Sequence, residues 1–388
     1  MWFPCRMRGG CPQQLEVLLR MRILIATDAW HPQINGVVST YMRLERELSA
    51  LGVAVGFLTP NDFRTISCPG YREIKLAMPR RSKVRSVLDN FAPDYVHIAT
   101  EGPIGWAVRA ACIARGKPFT TSFHTRFPEY LSALMSIPPS WTYSVVRRFH
   151  ARSAGVMVAT PSLSRELARQ GFERLKPWTR GVDTGVFRPR SDRLFGPGPV
   201  FLYVGRVSRE KNIEAFLAAD LPGRKVVVGA GPHREALEAR FPAVLFTGPK
   251  TGEELARHYA SADVFVFPSR TDTFGLVILE AMASGLPVAA YPVTGPVDII
   301  EPGVSGVLSE DLAAAATTAL TLDRNAARAH ALRYSWQNSA LAFLDNIRTA
   351  RAGHDAVAPA ASHAADKSRP LSERPRIRAQ KPEFPING

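Results

Sequence analysis

Short apolar runs alternate with segments of helical spacing along most of the chain, and glycine or proline marks each change. Residues 21–26 are apolar, residues 37–51 carry Leu44, Leu48 and Leu51 at helical spacing, Gly52 stops that helix, and 53–58 is apolar again. This is the signature of strand, helix, strand. It recurs in runs 95–99, 119–123 and 156–160, the last followed by a helix over 162–170 that Gly171 ends. Gly196, Pro197, Gly198 and Pro199 mark residues 191–199 as a hinge. Beyond it, runs 200–204, 226–228 and 264–267 read as strands buried on both faces. Strands alternating with helices on both sides of a hinge predict an α/β protein of two doubly wound domains, 21–190 and 200–333.

The most informative stretch is 264–288. Pro268 ends its strand, 269–273 is loop, 274–284 is helical, Gly285 suits a left-handed cap and Pro287 prevents continuation. The helix start therefore faces the carboxyl end of a parallel strand, where open α/β sheets bind ligands and free amides can meet phosphate. Asp272 precedes the helix and Glu280 lies inside it. Their spacing puts them roughly 12 Å apart along the axis. That suits hydroxyl groups at the two ends of an extended ligand with phosphates between. Asp272 could equally cap the helix. Glu280, flanked by Leu279, Ala281 and Met282, needs a partner for its carboxylate.

Other candidates sit at similar places. Gly36 opens the first helix, where a ligand oxygen can approach the backbone. His124 directly follows the run 119–123 and points toward a ligand crevice. Arg206 and Lys211 share the strand-to-helix loop 205–212 and can converge on one diphosphate, neutralising charge on a leaving group. Asn212 is expected to cap the helix from Ile213. Gly229 and Gly231 form a G-x-G, but the third glycine of a dinucleotide fingerprint is missing. Close packing of a nucleotide on that turn fits as well.

No run approaches the ~20 apolar residues of a membrane span. Cys5, Cys11, Cys68 and Cys112 form no C-x-x-C pair, which points to a reducing compartment. The net charge of +15 leaves nucleic acid, an anionic substrate or an anionic membrane surface as partners. No helix-turn-helix, zinc or RNA-binding signature is present, so nucleic acid ranks last. Segments 74–85 and 145–152 mix cations with apolar residues, as a membrane-docking surface would; a solvated face is the alternative. Residues 1–20 read as an extension, disordered or from an over-long start, and 351–388 as a disordered basic tail.

Together, the 264–288 stretch and the Gly205-Arg206…Lys211-Asn212 spacing resemble the retaining nucleotide-sugar glycosyltransferases of family 4, whose mark is an acid-x7-acid motif. The resemblance covers roughly residues 21–350. It implies the GT-B fold, in which two Rossmann-like domains face each other across a cleft and a last helix, here within 334–350, crosses back onto the first. It implies that Asp272, standing where Glu is usual, and His124 meet the transferred sugar. Glu280 would meet the nucleotide ribose. The amides of Phe274, Gly275 and Leu276, with Arg206 and Lys211, would meet the diphosphate, and Gly36 and Gly229 would border the donor. His124, Asp272, Arg206 and Lys211 form the expected catalytic set. Asn35, which replaces one of two usual glycines, and Arg126 and Tyr130 are acceptor candidates. No D-x-D motif is present, so no metal or other cofactor is expected. The implied mechanism is same-face transfer, with the leaving phosphate helping to deprotonate the incoming hydroxyl.

Segments 27–36, 123–130 and 270–275 look like the bacterial branch that glycosylates membrane lipids. The branch includes diacylglycerol glucosyl- and glucuronosyltransferases, sulfoquinovosyldiacylglycerol synthases and lipid mannosyltransferases. The implied activity is transfer of a hexose or hexuronic acid from a UDP-sugar to diacylglycerol. GDP-mannose with a lipid or polysaccharide acceptor is the second reading. A sugar-nucleotide epimerase or a non-catalytic binder represents another class. The expected partners are a nucleotide sugar, a lipid acceptor and an anionic membrane surface, with no nucleic acid. The expected location is cytoplasmic, peripheral on the inner face of the cytoplasmic membrane.

Overall fold

A computed structural model describes residues 21–33, 35–68, 71–124 and 139–357. The strands are β1 (Arg22–Ala26), β2 (Ala54–Leu58), β3 (Thr65–Cys68), β4 (Tyr71–Ala77), β5 (Tyr95–Ile98), β6 (Phe119–Phe123), β7 (Gly155–Val158) and β8 (Leu175–Pro177). After the hinge come β9 (Val200–Val204), β10 (Arg224–Val228), β11 (Leu245–Gly248), β12 (Val264–Phe267), β13 (Val288–Ala290) and β14 (Gly306–Leu308). They build two six-stranded sheets, β2-β1-β5-β6-β7-β8 and β11-β10-β9-β12-β13-β14, and a two-stranded β3-β4 ribbon. Every pairing within the large sheets is parallel.

Strand periodicity divides the first core into two layers. Ile23 and Ile25 pack with Tyr41, Leu44, Trp178 and Phe343, while Leu24 and Ala26 pack on the other face with Val84, Val108 and Phe149. The helices Gly36–Ala50 and Trp336–Val357 therefore cover one face, and Arg81–Phe91, Pro103–Ala114 and Pro139–His150 the other. The second sheet is likewise packed on both faces. Each sheet reverses strand order once, between β1 and β5 and between β9 and β12, which opens a crevice at the carboxyl ends.

Two helices depart from the expected boundaries. The helix expected over 274–284 spans Leu276–Ala283, because Gly275 takes a left-handed conformation (φ 101°) that an α-helix cannot include. Its end is as expected, with Gly285 left-handed at φ 83°. The last helix, expected within 334–350, runs Trp336–Val357 and so passes residue 350 into the expected tail. It packs on Gly36–Ala50 and on β6, β7 and β8. The Trp178 indole anchors it by donating to the Ser339 carbonyl at 3.1 Å. Arg126 and Tyr130, residues 1–20 and residues 358–388 lie outside the described residues.

Candidate functional site

The second sheet's switch point brings together the loops after β9 and β12. Lys211 Nζ lies 2.5 Å from Asp272 Oδ1. Asp272 Oδ2 is buried with no hydrogen-bond partner. Asp272 does not cap the helix: Gly275 holds the cap position, without a side-chain bond. A carboxyl oxygen sealed from water without a partner costs about 1–3 kcal/mol, which a hydroxyl donor from a ligand would offset. Arg206 sits half-buried on the same loop. Asn212 holds the cap position of the helix from Ile213, as expected, but in a left-handed conformation (φ 51°) and without a side-chain bond to that helix. Its amide donates instead to the Pro268 carbonyl at 3.1 Å, and Thr271 Oγ1 donates to the Glu210 carbonyl at 3.3 Å. The two loops are thus stitched to each other.

Gly229 answers to the chain's own backbone. A Cβ there would stand 1.9 Å from the Gly205 carbonyl oxygen, and one on Gly231 2.2 Å from that of Val207. The G-x-G lets the loops after β9 and β10 touch, which accounts for both glycines without a nucleotide.

Glu280 lies farther along the helix. Tyr259 donates its hydroxyl to Glu280 Oε2 at 3.0 Å. Burial pushes the Glu280 carboxyl up to about 7, against the opposing pull of Tyr259 and of Arg43. Arg43 belongs to the Gly36–Ala50 helix of the other domain and is paired with Asp183 at 2.7 Å. The carboxylate thus lies at the seam between domains.

Across that seam two helix starts approach each other. A Cβ on Gly36 would sit 3.6 Å from Leu276 Cδ1. The positive dipole ends of Gly36–Ala50 and Leu276–Ala283 thus meet at the seam. Asn35 caps its helix: Oδ1 accepts from the Val37 and Val38 amides, both at 3.0 Å. Its Nδ2 donates to Gln33 Oε1 at 3.2 Å. The side chain expected on the acceptor is thereby committed to the helix start.

His124 directly follows β6 as expected, but both ring nitrogens are occupied. Arg180 donates to Nδ1 at 3.1 Å, and Nε2 lies 2.8 Å from the Tyr41 hydroxyl. Arginine only donates, so the ring proton is on Nε2. Tyr41 in turn contacts His97 Nε2 at 2.9 Å and Ser122 Oγ at 3.3 Å. Burial, reinforced by Arg180, drives His124 well below the usual histidine range and His97 down to about 3. Both stay neutral. A sugar contact through the His124 ring would have to replace one of these bonds. The His124 carbonyl accepts from Thr273 Oγ1 at 2.6 Å, which ties β6 to the Asp272 loop.

A second tie joins the Pro161–Arg169 helix to Pro296–Ile299. The Ser162 amide donates to Asp298 Oδ1 at 3.0 Å, and its hydroxyl donates to Oδ2. Thr294 Oγ1 donates to Glu166 Oε2 at 3.4 Å. Tyr41, His97, Arg180, Tyr259 and Arg43 were not singled out from the sequence. Tyr41 and Tyr259 carry core-like helical spacing, His97 falls within an apolar strand, and Arg180 lies outside the strand and helix patterns.

Comparison with known proteins gives two family matches. A model described as Glycosyltransferase Family 4 matches residues 34–186, and one described as Glycosyl transferases group 1 matches 198–325. Sulfoquinovosyl transferase SQD2 of Arabidopsis thaliana is 31% identical over 323 residues, 74% of this chain; the chain spans 62% of that relative's length. A GDP-mannose-dependent alpha-mannosyltransferase of Mycolicibacterium smegmatis is 31% identical over 353 residues, covering 81% of this chain and 94% of the relative. The alpha-monoglucosyldiacylglycerol synthase of Streptococcus pneumoniae is 28% identical over 320 residues, covering 70% and 71%. Among solved structures, sucrose-phosphate synthase from Thermosynechococcus elongatus superposes with a TM-score of 0.70 at 24% identity, over 86% of this chain and all of that one.

Proposed function

From a chain that belongs to the family 4 glycosyltransferases, a hexosyltransferase with the GT-B fold, we propose transfer of one sugar from a nucleoside diphosphate sugar to a membrane lipid. The carrying observation is the Lys211–Asp272 pair with its unpartnered Asp272 oxygen. On this reading Asp272 accepts from a sugar hydroxyl, and Lys211 and Arg206 meet the diphosphate with the amides of the Leu276 helix. Glu280 accepts from the ribose. Charge building on the leaving phosphate is met by cations and dipoles fixed in advance. No metal is assigned a part. The same fixed phosphate lies beside the incoming hydroxyl and takes its proton, so the sugar's anomeric configuration is retained.

A lipid acceptor is supported by the surface of the first domain. Trp141 is 73% exposed and Val145 54%, on the Pro139–His150 helix, beside exposed Arg147, Arg148 and Arg152. Arg109 of the next helix donates to the Arg148 and Phe149 carbonyls, so these helices form one face. Exposed Met78, Arg80, Arg81, Lys83 and Arg85 extend the same composition. Aromatic, apolar and basic side chains on one face suit the inner, anionic leaflet of a cytoplasmic membrane. Among the described residues no helix is long and apolar enough to cross a membrane. The first pair to test is a UDP-linked hexose or hexuronic acid with diacylglycerol. GDP-mannose is the second donor, favoured by the mannosyltransferase relative matched over 94% of its length.

Asp272→Ala tests the reading of the site. Turnover is expected to vanish while nucleoside diphosphate binding persists, because the lost contact is to the sugar. Turnover close to wild type would refute it.

A further inference from the structure

The first sheet has its own switch point, between β1 and β5, and one carboxylate there has no place in the donor site. Glu101 follows β5 and its side chain is only 10% exposed. Glu101 Oε1 lies 3.2 Å from His150 Nε2. His150 is buried, and its Nδ1 lies 2.8 Å from Thr121 Oγ1 on β6. A carboxylate only accepts, so Nε2 carries the proton given to Glu101 and the Thr121 hydroxyl can donate to Nδ1. Among the described residues the second oxygen of Glu101 has no hydrogen-bond partner, and it is not among the sealed, unsatisfied atoms.

The loop that carries Glu101 is pinned. Asp28, after β1, accepts from the Thr100 hydroxyl at 2.9 Å and from the Ile104 and Gly105 amides at 2.8 and 3.2 Å. A Cβ on Gly102 would stand 2.4 Å from Asp28 Cγ, so the turn beside Glu101 lies directly on that carboxylate. Glu101, after β5, is thus a fixed acceptor between Asp28, after β1, and His124, after β6, at the carboxyl edge of the sheet. The same carboxyl edge of the sheet meets the donor domain through the His124–Thr273 bond.

We propose that the second oxygen of Glu101 is a subsite for a hydroxyl group of the acceptor, with His150 as its positioning residue. The inference rests on the glycosyltransfer reading above. The hydroxyl has two sources: the reacting hydroxyl of a lipid, or a neighbouring hydroxyl of a lipid that already carries a sugar.

Glu101→Gln keeps an oxygen for His150 and puts an NH2 group where the acceptor hydroxyl would donate. With the full chain, KM for the acceptor is expected to rise about 10- to 100-fold, the span of one hydrogen bond to a charged group. Nucleoside diphosphate affinity and acceptor-free donor hydrolysis should stay within about twofold, since those contacts are untouched. His150→Ala should raise the acceptor KM in the same way, and His150→Gln, whose amide can still donate to Glu101, should restore it. Diacylglycerol and glucosyl-diacylglycerol in anionic vesicles separate the sources. A rise with both marks the reacting hydroxyl; a rise confined to the glycosylated lipid marks a neighbouring one. An unchanged acceptor KM in Glu101→Gln, or an equal loss of donor binding, overturns the subsite. Wild-type protein that cleaves donor but uses neither acceptor overturns it while leaving glycosyltransfer standing. Protein that binds and cleaves no nucleotide sugar removes both.

Discussion

Replacing Glu280 by Gln should make the protein more stable and its donor site weaker. Burial raises the carboxyl from 4.5 to about 7, so the folded state holds its proton more tightly than the unfolded chain does. Such a group favours folding below its unfolded pKa, and the benefit is lost as pH rises through the folded value. The rise corresponds to about 3 kcal/mol, reduced to about 2 kcal/mol because Glu280 keeps part of its surface in solvent. Gln does not titrate, and its oxygen can still accept from Tyr259. At pH 8, Glu280→Gln should therefore exceed wild type by about 2 kcal/mol, raising the melting temperature of a domain this size by roughly 4–8 °C. At pH 4.5 the two should melt together. Donor affinity should move the other way: losing a charged acceptor for ribose hydroxyls costs about 1.5–3 kcal/mol, or roughly 10- to 150-fold in Kd. Differential scanning fluorimetry at both pH values and calorimetric titration with UDP and GDP would measure both effects. A variant less stable than wild type at pH 8, or one that binds both nucleotides unchanged, would refute the reasoning.

Asp298→Ala removes the two bonds that hold Ser162 across the cleft. It should shift the domains toward an open form, seen as a larger radius of gyration in X-ray scattering, with donor Kd raised about 10-fold or more; an unchanged radius and Kd would show that the contact does not hold closure. Arg148→Ala with Arg152→Ala should cut binding to anionic vesicles by about 5- to 30-fold, at ~1 kcal/mol per charge. The deficit should shrink in high salt, and activity on a water-soluble acceptor should be unaffected. Vesicle binding equal to wild type in a co-sedimentation assay would assign these cations to an ordinary solvated face.

Where side-chain chemistry follows local spacing, the sequence was readable. The apolar runs located the strands, and Gly285 located a helix end. Arg206, Lys211 and Asp272 could be named because each lies on a loop whose place at a strand end follows from the βα pattern, and Glu280 because it is a lone carboxylate among apolar residues in the helix that follows. What stayed hidden depends on contacts between distant segments. Gly229 looked like a ligand turn because nothing local reveals the Gly205 carbonyl beneath it. Asn212 takes the cap position its spacing suggests, but its side-chain amide reaches Pro268 on another loop. The Tyr41–His124–Arg180 chain joins a helix, a strand end and the close of the first domain. No spacing rule links residues so far apart. Glu101 carried no local signal, since its partner His150 arrives from a helix beyond β6.

The most direct measurement is donor-dependent sugar transfer. The full chain would be mixed with diacylglycerol in anionic vesicles and offered UDP-glucose, UDP-glucuronic acid or GDP-mannose in turn. A glycolipid formed with one donor, and lost in Asp272→Ala, is the expected result. Failure to bind any of the three donors would contradict the roles given to Arg206, Lys211, Asp272 and Glu280.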